Sequence, residues 1–165
     1  TREQFRIVNF WADGAGTYTP PGHWNFIAAD LLYKSQYSEI RTARALCYLN
    51  LAMADAAVVC WDLKYFYMVP RPTQMDPEIK TATGIPNFPA FTSGHSTFSS
   101  SAATVIGYIF PGEAGKMWEM AVEASNSRIY GSIHYRFDCE VGLKSGKAIG
   151  DMVNAKAMAD GCPNL

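Results

Sequence analysis

The chain has 165 residues, 48% hydrophobic and 13% aromatic, with a formal net charge of −1. That length suits one domain able to bury roughly two-thirds of its unfolded surface, and the even charge balance excludes a global basic field for nucleic acid or anionic membrane. No apolar run reaches the ~18 residues that suggest a membrane span, because the longest, Leu51 to Trp61, is interrupted by Asp55.

Taken in order, Thr1 to Trp11 reads as the end of a helix, with Phe5, Ile7, Val8 and Trp11 near helical spacing. A loop rich in Gly, Thr and Pro follows from Asp13 to Gly22, then a short helix from about Trp24 to Tyr33. Ser38 is placed to cap a long helix running to about Tyr67. Its apolar positions (Ile40, Ala43, Cys47, Leu51, Ala54, Val58, Trp61) recur every third or fourth residue, and Pro70 and Pro72 stop it. From Thr73 to Phe91 the chain is a long loop punctuated by Pro and Gly, longer than a passive connection needs. Helices are predicted from about His95 to Ile109, from Glu113 to about Tyr130, and from about Asp138 to Ala159, the last with a Gly-rich middle. No stretch alternates as a strand, so the fold class is all-α: a helical bundle with functional loops at one end.

Cysteine spacing says little about compartment. Cys47 and Cys60 share one predicted helix roughly 20 Å apart, beyond disulfide reach. Cys139 and Cys162 are equally readable as a bridge or as free thiols. The start at Thr1, with neither Met nor a leader, reads as a mature form or a fragment. A soluble, extracytoplasmic or periplasmic protein is expected.

Three separated basic clusters carry the chemistry. Lys64 and Arg71 are close to two helical turns apart, which puts a compact ammonium and a planar guanidinium on one face. Ser93-Gly94-His95 sits where a loop enters a helix, a place where backbone amides and the helix dipole favour an anion. Ser127-Arg128 and His134 lie out of phase on a straight helix, so the helix must break between them, with Gly131 the natural place. Asp138, four residues beyond His134, can then hold one imidazole nitrogen. Each cluster alone is more often a solvated basic face, a serine cap or a structural histidine. Together they are the inventory for a tetrahedral oxyanion. A serine hydrolase fits poorly because Ser93 lacks a nucleophile-elbow context. Zinc fits poorly because the histidines lack further ligands at usual spacing.

In this order the residues resemble the vanadium-dependent haloperoxidase and type 2 phosphatidic-acid phosphatase superfamily. The first motif of that family, Lys, six residues, Arg-Pro, is met by Lys64 and Arg71-Pro72. The second, Pro-Ser-Gly-His, is met by Ser93-Gly94-His95 with Thr92 in place of Pro, a change expected to loosen the turn. The third is met by Ser127, Arg128, His134 and Asp138. Trp61, Phe88 and the Trp11-Ala12-Asp13-Gly14 stretch look like the soluble haloperoxidase branch. The resemblance implies vanadate as cofactor, with phosphate or sulfate as alternative occupants. Lys64, Arg71 and Arg128 would hold equatorial oxygens, with Ser93 and the Gly94 amide adding hydrogen bonds. His134 would bond vanadium, or act as nucleophile in a phosphatase, and His95 would be the general acid–base. Asp13 would pair with Arg128, while Trp61 and Phe88 would shape the halide side of the pocket or serve as plain core aromatics. Three functions follow: halide oxidation by hydrogen peroxide, phosphomonoester hydrolysis, or oxyanion binding without catalysis. The soluble branch carries a second helical bundle ahead of this region. The chain is therefore expected to be a fragment whose exposed apolar faces meet an N-terminal half or a second copy.

Overall fold

The computed structural model describes residues 1–159 and 161. Among them seven α-helices and one 3₁₀ turn account for the regular structure, with no strand. Helix α1 (Arg2–Phe10) opens with a reciprocal capping box between Thr1 and Gln4. Helix α2 (Thr19–Lys34) begins earlier than the sequence suggests, because Pro20 and Pro21 occupy the first turn, where a missing N–H is harmless. Helix α3 (Glu39–Tyr67) starts as expected, with Ser38 Oγ accepting from the Arg41 amide at 3.4 Å. It ends at Met68, which takes a left-handed conformation (φ 51°). Arg71 is therefore not on α3, as the two-turn spacing predicts, but is the extended residue before a four-residue helix α4 (Pro72–Met75). Helix α5 (Gly94–Ile109) leads through the 3₁₀ turn Pro111–Glu113 to α6 (Ala114–Tyr130), and α7 (Arg136–Ala159) closes the described chain.

Helix α5 is the centre of the bundle, packed against α2, α3, α6 and α7. Its apolar side joins Trp24, Leu49, Met53, Val105, Ile106 and Met117 in one core. The Trp24 indole donates to Ser99 Oγ at 2.9 Å, so the buried N–H is satisfied. The other side of α5 is a buried row of Ser and Thr, and here the Gly-rich middle of α7 acquires its meaning. Gly142, Gly146 and Gly150 share one helical face against that row. A Cβ at Gly142 would stand 2.8 Å from Ser96 Cβ, and one at Gly150 would stand 2.6 Å from Thr104 Cβ. The two backbones lie close because these residues have no side chain to separate them.

Helix α3 is apolar on nearly every face. One face packs on α5 and α7, while Ile40, Val58 and Phe66 are exposed, Phe66 by 77%. The stretch Glu39–Met75 is long and apolar enough to cross a membrane, with 33% of its most apolar window buried. The sequence expectation of no membrane span rests on Asp55 breaking the apolar run, whereas the helix passes the test of length and mean hydropathy despite Asp55. The central helix of a bundle carries the same signature. Cys47, Cys60 and Cys139 are free thiols, and Cys139 donates to the Ser125 carbonyl at 3.5 Å. Cys162 lies outside the described residues.

Candidate active site

The three clusters converge at one end of the bundle, where the N-terminal ends of α5 and α7 meet. Ser93 caps α5, its Oγ accepting from the Ser96 amide at 3.3 Å. The Ser93 amide donates to the Asp138 carbonyl at 3.0 Å, which ties the start of α5 to the first turn of α7. Gly94 is the first residue of α5, so its amide has no partner within the helix. A Cβ there would meet Trp61 only at ordinary contact distance, 3.6 Å. No protein neighbour demands glycine at this position, and its lack of a side chain leaves the backbone open to the cavity.

Lys64 and Arg71 sit behind the cavity wall, whereas Arg128 lines it. Lys64 is fully buried, and its ammonium donates to the carbonyls of Pro89 (2.8 Å), Ala90 (3.0 Å) and Thr92 (2.5 Å). All three of its protons brace the loop that delivers Ser93. Arg71, 2% exposed, donates from Nε to Phe88 O at 3.1 Å and from Nη1 to Ile133 O at 2.8 Å. Its Nη2 is buried without a partner among the described residues. Arg128 donates from Nε to Ser127 Oγ at 2.8 Å and from Nη2 to Trp11 O at 2.8 Å. Burial lowers all three pKa values, Lys64 to about 8 and both arginines to about 10.

Both imidazoles are held neutral. His134 Nδ1 donates to Asp138 Oδ2 at 2.9 Å, and its Nε2 accepts from Arg71 Nη1 at 2.9 Å. That pattern places the proton on Nδ1 and the lone pair on Nε2. Burial first, then the charges of Arg71, Lys64 and Arg128, push its pKa well below the usual histidine value. His95 is pushed the same way, by burial first and then by Arg128 and His134, while backbone hydrogen bonds with Trp11 and Ala12 oppose the shift; its Nε2 is buried without a partner among the described residues. Asp138 is raised by burial, although the Tyr135 amide bonding to Oδ2 at 3.0 Å and the neighbouring cations oppose the shift. The helix does break between Arg128 and His134. Gly131 keeps right-handed angles, however, and Ser132 takes the left-handed turn (φ 59°).

A cavity of about 610 Å³ opens over these groups. Gly94, His95, Arg128 and His134 line its inner end, and Trp61, Phe88 and Phe98 form an aromatic wall. Trp61 and Phe88 tilt together with centroids 5.1 Å apart, and the Lys64 ammonium lies 5.0 Å from the Phe88 ring centroid. Asp13 also lines the cavity.

The depressed Lys64 value gives a testable pH dependence. Between about 8 and 10.5 the folded protein binds fewer protons at this group than the unfolded chain. Its contribution to stability therefore rises with pH across that window, while the site loses a positive charge. Sulfate keeps a constant charge over this range. Its affinity is expected to weaken roughly tenfold between about pH 7 and 9 with no matching fall in melting temperature. Calorimetric titration at both pH values checks this, and an unchanged affinity would contradict it.

Residues 45–153 match the PAP2 superfamily. The chain belongs to that superfamily. This PAP2 chain is similar to a bacterial vanadium-dependent iodoperoxidase, with 34% identity and a TM-score of 0.85. The likeness covers 93% of this chain and 44% of the iodoperoxidase, so the chain spans less than half of that protein's length. It shares its fold with Aquifex aeolicus LpxE, at 21% identity and a TM-score of 0.64, covering 92% of this chain and 93% of LpxE. No curated protein matches the sequence.

Two features of the PAP2 site differ from the sequence reading. Thr92 does not leave the turn loose: it is fully buried, its Oγ1 donates to Cys60 Sγ at 3.4 Å, and its carbonyl anchors Lys64. The expected pairing of Asp13 with Arg128 is replaced by another. Both Asp13 oxygens lie 3.1 Å from His23 Nδ1, and Asp13 supports the Arg128 charge only through space. Sequence reasoning missed His23. Its one available signal was that only three histidines exist and this one follows a Pro-Pro-Gly helix start.

Proposed function

We propose that the chain carries the active site of a vanadate-dependent haloperoxidase that oxidises halide with hydrogen peroxide. The carrying observation is the cavity itself: an aromatic wall of Trp61, Phe88 and Phe98 beside a cationic inner end holding two neutral imidazoles. The similarity to the iodoperoxidase supports the same reading. The residues fit vanadate. Among the described residues Arg71 Nη2 and His95 Nε2 are buried polar atoms without hydrogen-bond partners, and Arg71 reaches His134 Nε2 through Nη1 at 2.9 Å. His134 Nε2 would bond vanadium, while Arg71, Arg128, Ser93 and the Gly94 amide would hold the oxygens and Lys64 would add charge from behind. Bound vanadate supplies Lewis-acid activation of hydrogen peroxide without changing oxidation state.

The protein's own part is protonic and electrostatic. His95, held neutral by burial and Arg128, accepts a proton at Nε2 from hydrogen peroxide. Asp138 keeps the His134 proton on Nδ1. The aromatic wall limits water around the halide.

His134 also favours a second reading, a phosphomonoesterase. Its oriented Nε2 lone pair would attack phosphorus as the ester P–O bond breaks, and His95 would protonate the leaving oxygen. Water would then release phosphate from His134. Here His95 must arrive protonated, which its surroundings oppose.

One sample tests both. With orthovanadate, hydrogen peroxide and iodide, the protein is expected to halogenate a phenol dye, and phosphate should compete. Hydrolysis of a chromogenic phosphate ester, with no vanadate-dependent halogenation, would replace the first reading by the second.

A further inference from the structure

Helix α1 ends against the site with its carbonyls forward. The last carbonyls of a helix have no partner within it and carry the negative end of its dipole. Helix α1 has no basic residue in its last turn, so the donors come from other helices. Arg128 on α6 donates from Nη2 to Trp11 O at 2.8 Å and reaches Val8 O at 3.5 Å. His95 on α5 hydrogen-bonds to the backbone of the same Trp11 and of Ala12. Its Nε2 has no partner among the described residues, so these bonds belong to Nδ1 and the lone pair stays on Nε2. Trp11 thus serves both the guanidinium and the imidazole assigned to the oxyanion. Its own side chain is fixed from α6. The indole is fully buried, stacked on His23 and Trp24 at 4.6 and 5.8 Å. Its Nε1 donates to Glu123 Oε1 at 2.9 Å. Glu123 is half-buried, stands five residues before Arg128 and does not line the cavity. The proposed chemistry gives it no task.

We propose that Glu123 is a positioning residue: by holding the Trp11 indole, it aims the Trp11 carbonyl at Arg128 and His95. This inference rests on the oxyanion-site reading above. Helix α6 grips Trp11 at both ends, with Glu123 taking the indole N–H and Arg128 giving to the carbonyl. An indole N–H that loses a buried acceptor turns toward another partner or toward water. The ring is stacked on two neighbours, so it does not turn alone and the backbone of Trp11 moves with it. That movement would shift the anchor of Arg128 and loosen the bond that keeps the His95 proton on Nδ1. The charge of Glu123 is not what acts, because burial, Asp13 and Cys139 are what perturb Arg128.

Inorganic phosphate is the probe, titrated calorimetrically into the wild type, Glu123→Gln and Glu123→Leu. The ring nitrogens of His95 are followed in parallel by NMR of protein labelled with nitrogen-15 histidine. Glutamine keeps an acceptor oxygen for the indole, whereas leucine fills similar space without one. In Glu123→Leu the phosphate affinity is expected to fall roughly tenfold, and the His95 nitrogen shifts to move from one tautomer toward a mixture. Glu123→Gln should match the wild type in both. A role in stability alone would lower the melting temperature of Glu123→Leu and move neither measurement. A leucine variant with wild-type affinity or an unmoved His95 spectrum therefore overturns the inference. So does a glutamine variant as impaired as the leucine one, since the charge of Glu123 would then matter rather than its hydrogen bond. If Glu123→Leu does not fold, Trp11→Phe removes the donor instead and carries the same expectation. A wild-type protein that binds no phosphate removes the oxyanion reading and this inference with it. Normal wild-type binding with an indifferent Glu123→Leu removes this inference alone.

Discussion

A Gly146→Ala protein is expected to lose about 3 kcal/mol of stability, and its melting temperature to fall by about 10 °C. A Cβ at this position would land inside contact distance of Thr97 O and Ser100 Oγ. Thr97 O belongs to the α5 backbone and cannot swing aside as a side-chain tip can. The helices must separate, and α5 is the element that every neighbour packs upon. Gly115 is the control. It is exposed near the start of α6 with nothing within 4 Å of a Cβ, so alanine there should be neutral or slightly stabilising through the unfolded state. Thermal unfolding of the two variants side by side decides the point. Equal melting temperatures would mean that the close approach of α5 and α7 does not depend on glycine.

The same packing sets the site. Gly142 lies one turn nearer the cavity, where a Cβ would stand 3.0 Å from Ser93 O. Ser93 in turn donates its amide to Asp138 O. Helix spacing, the α5 cap and the orientation of His134 are thus one mechanical unit. Small residues on both helices let the start of α5, with its unpaired amides, meet the start of α7, with its carboxylate.

Much of this was legible in the sequence because it is local. The Ser38 cap, the stop at Phe110-Pro111-Gly112, the break between Arg128 and His134, and the His134–Asp138 contact all follow from spacing within a few residues. The convergence of three clusters was legible only as a requirement: their residue types suit one ligand and no cluster suffices alone. What was hidden is non-local. Helical phase could not foresee that α3 ends at Met68 and that Arg71 reaches the site from extended backbone. Nor could composition reveal that Lys64 turns its protons to three loop carbonyls, since those acceptors belong to a segment more than twenty residues away. Asp13 was placed at the pocket, but its partner His23 is set by stacking on Trp11, which no spacing rule encodes.

Asp138→Ala is expected to lower turnover about a hundredfold in whichever activity the site supports, and Asp138→Asn only about tenfold. The difference comes from the Tyr135 amide. Asp138 Oδ2 accepts from both His134 Nδ1 and Tyr135 N, at 2.9 and 3.0 Å, as a third-position acid reaches back to the start of its helix. Two donors aimed at one spot require an oxygen there. An asparagine should therefore present its carbonyl and leave the His134 proton on Nδ1. Its amide nitrogen would take the place of Oδ1, which has no partner among the described residues. Asparagine thus removes the charge and keeps the tautomer, whereas alanine removes both. The charge has its own readout, since Asp138 supports the protonated forms of Lys64 and Arg71. Without it the Lys64 pKa falls below about 8, and the pH at which sulfate affinity weakens should move in the acid direction in Asp138→Asn. Turnover and the sulfate pH profile, measured on both variants, separate the two roles. If asparagine proves as damaging as alanine, with the pH profile unmoved, then orientation of His134 rather than the carboxylate charge is what Asp138 contributes, and the amide must have flipped.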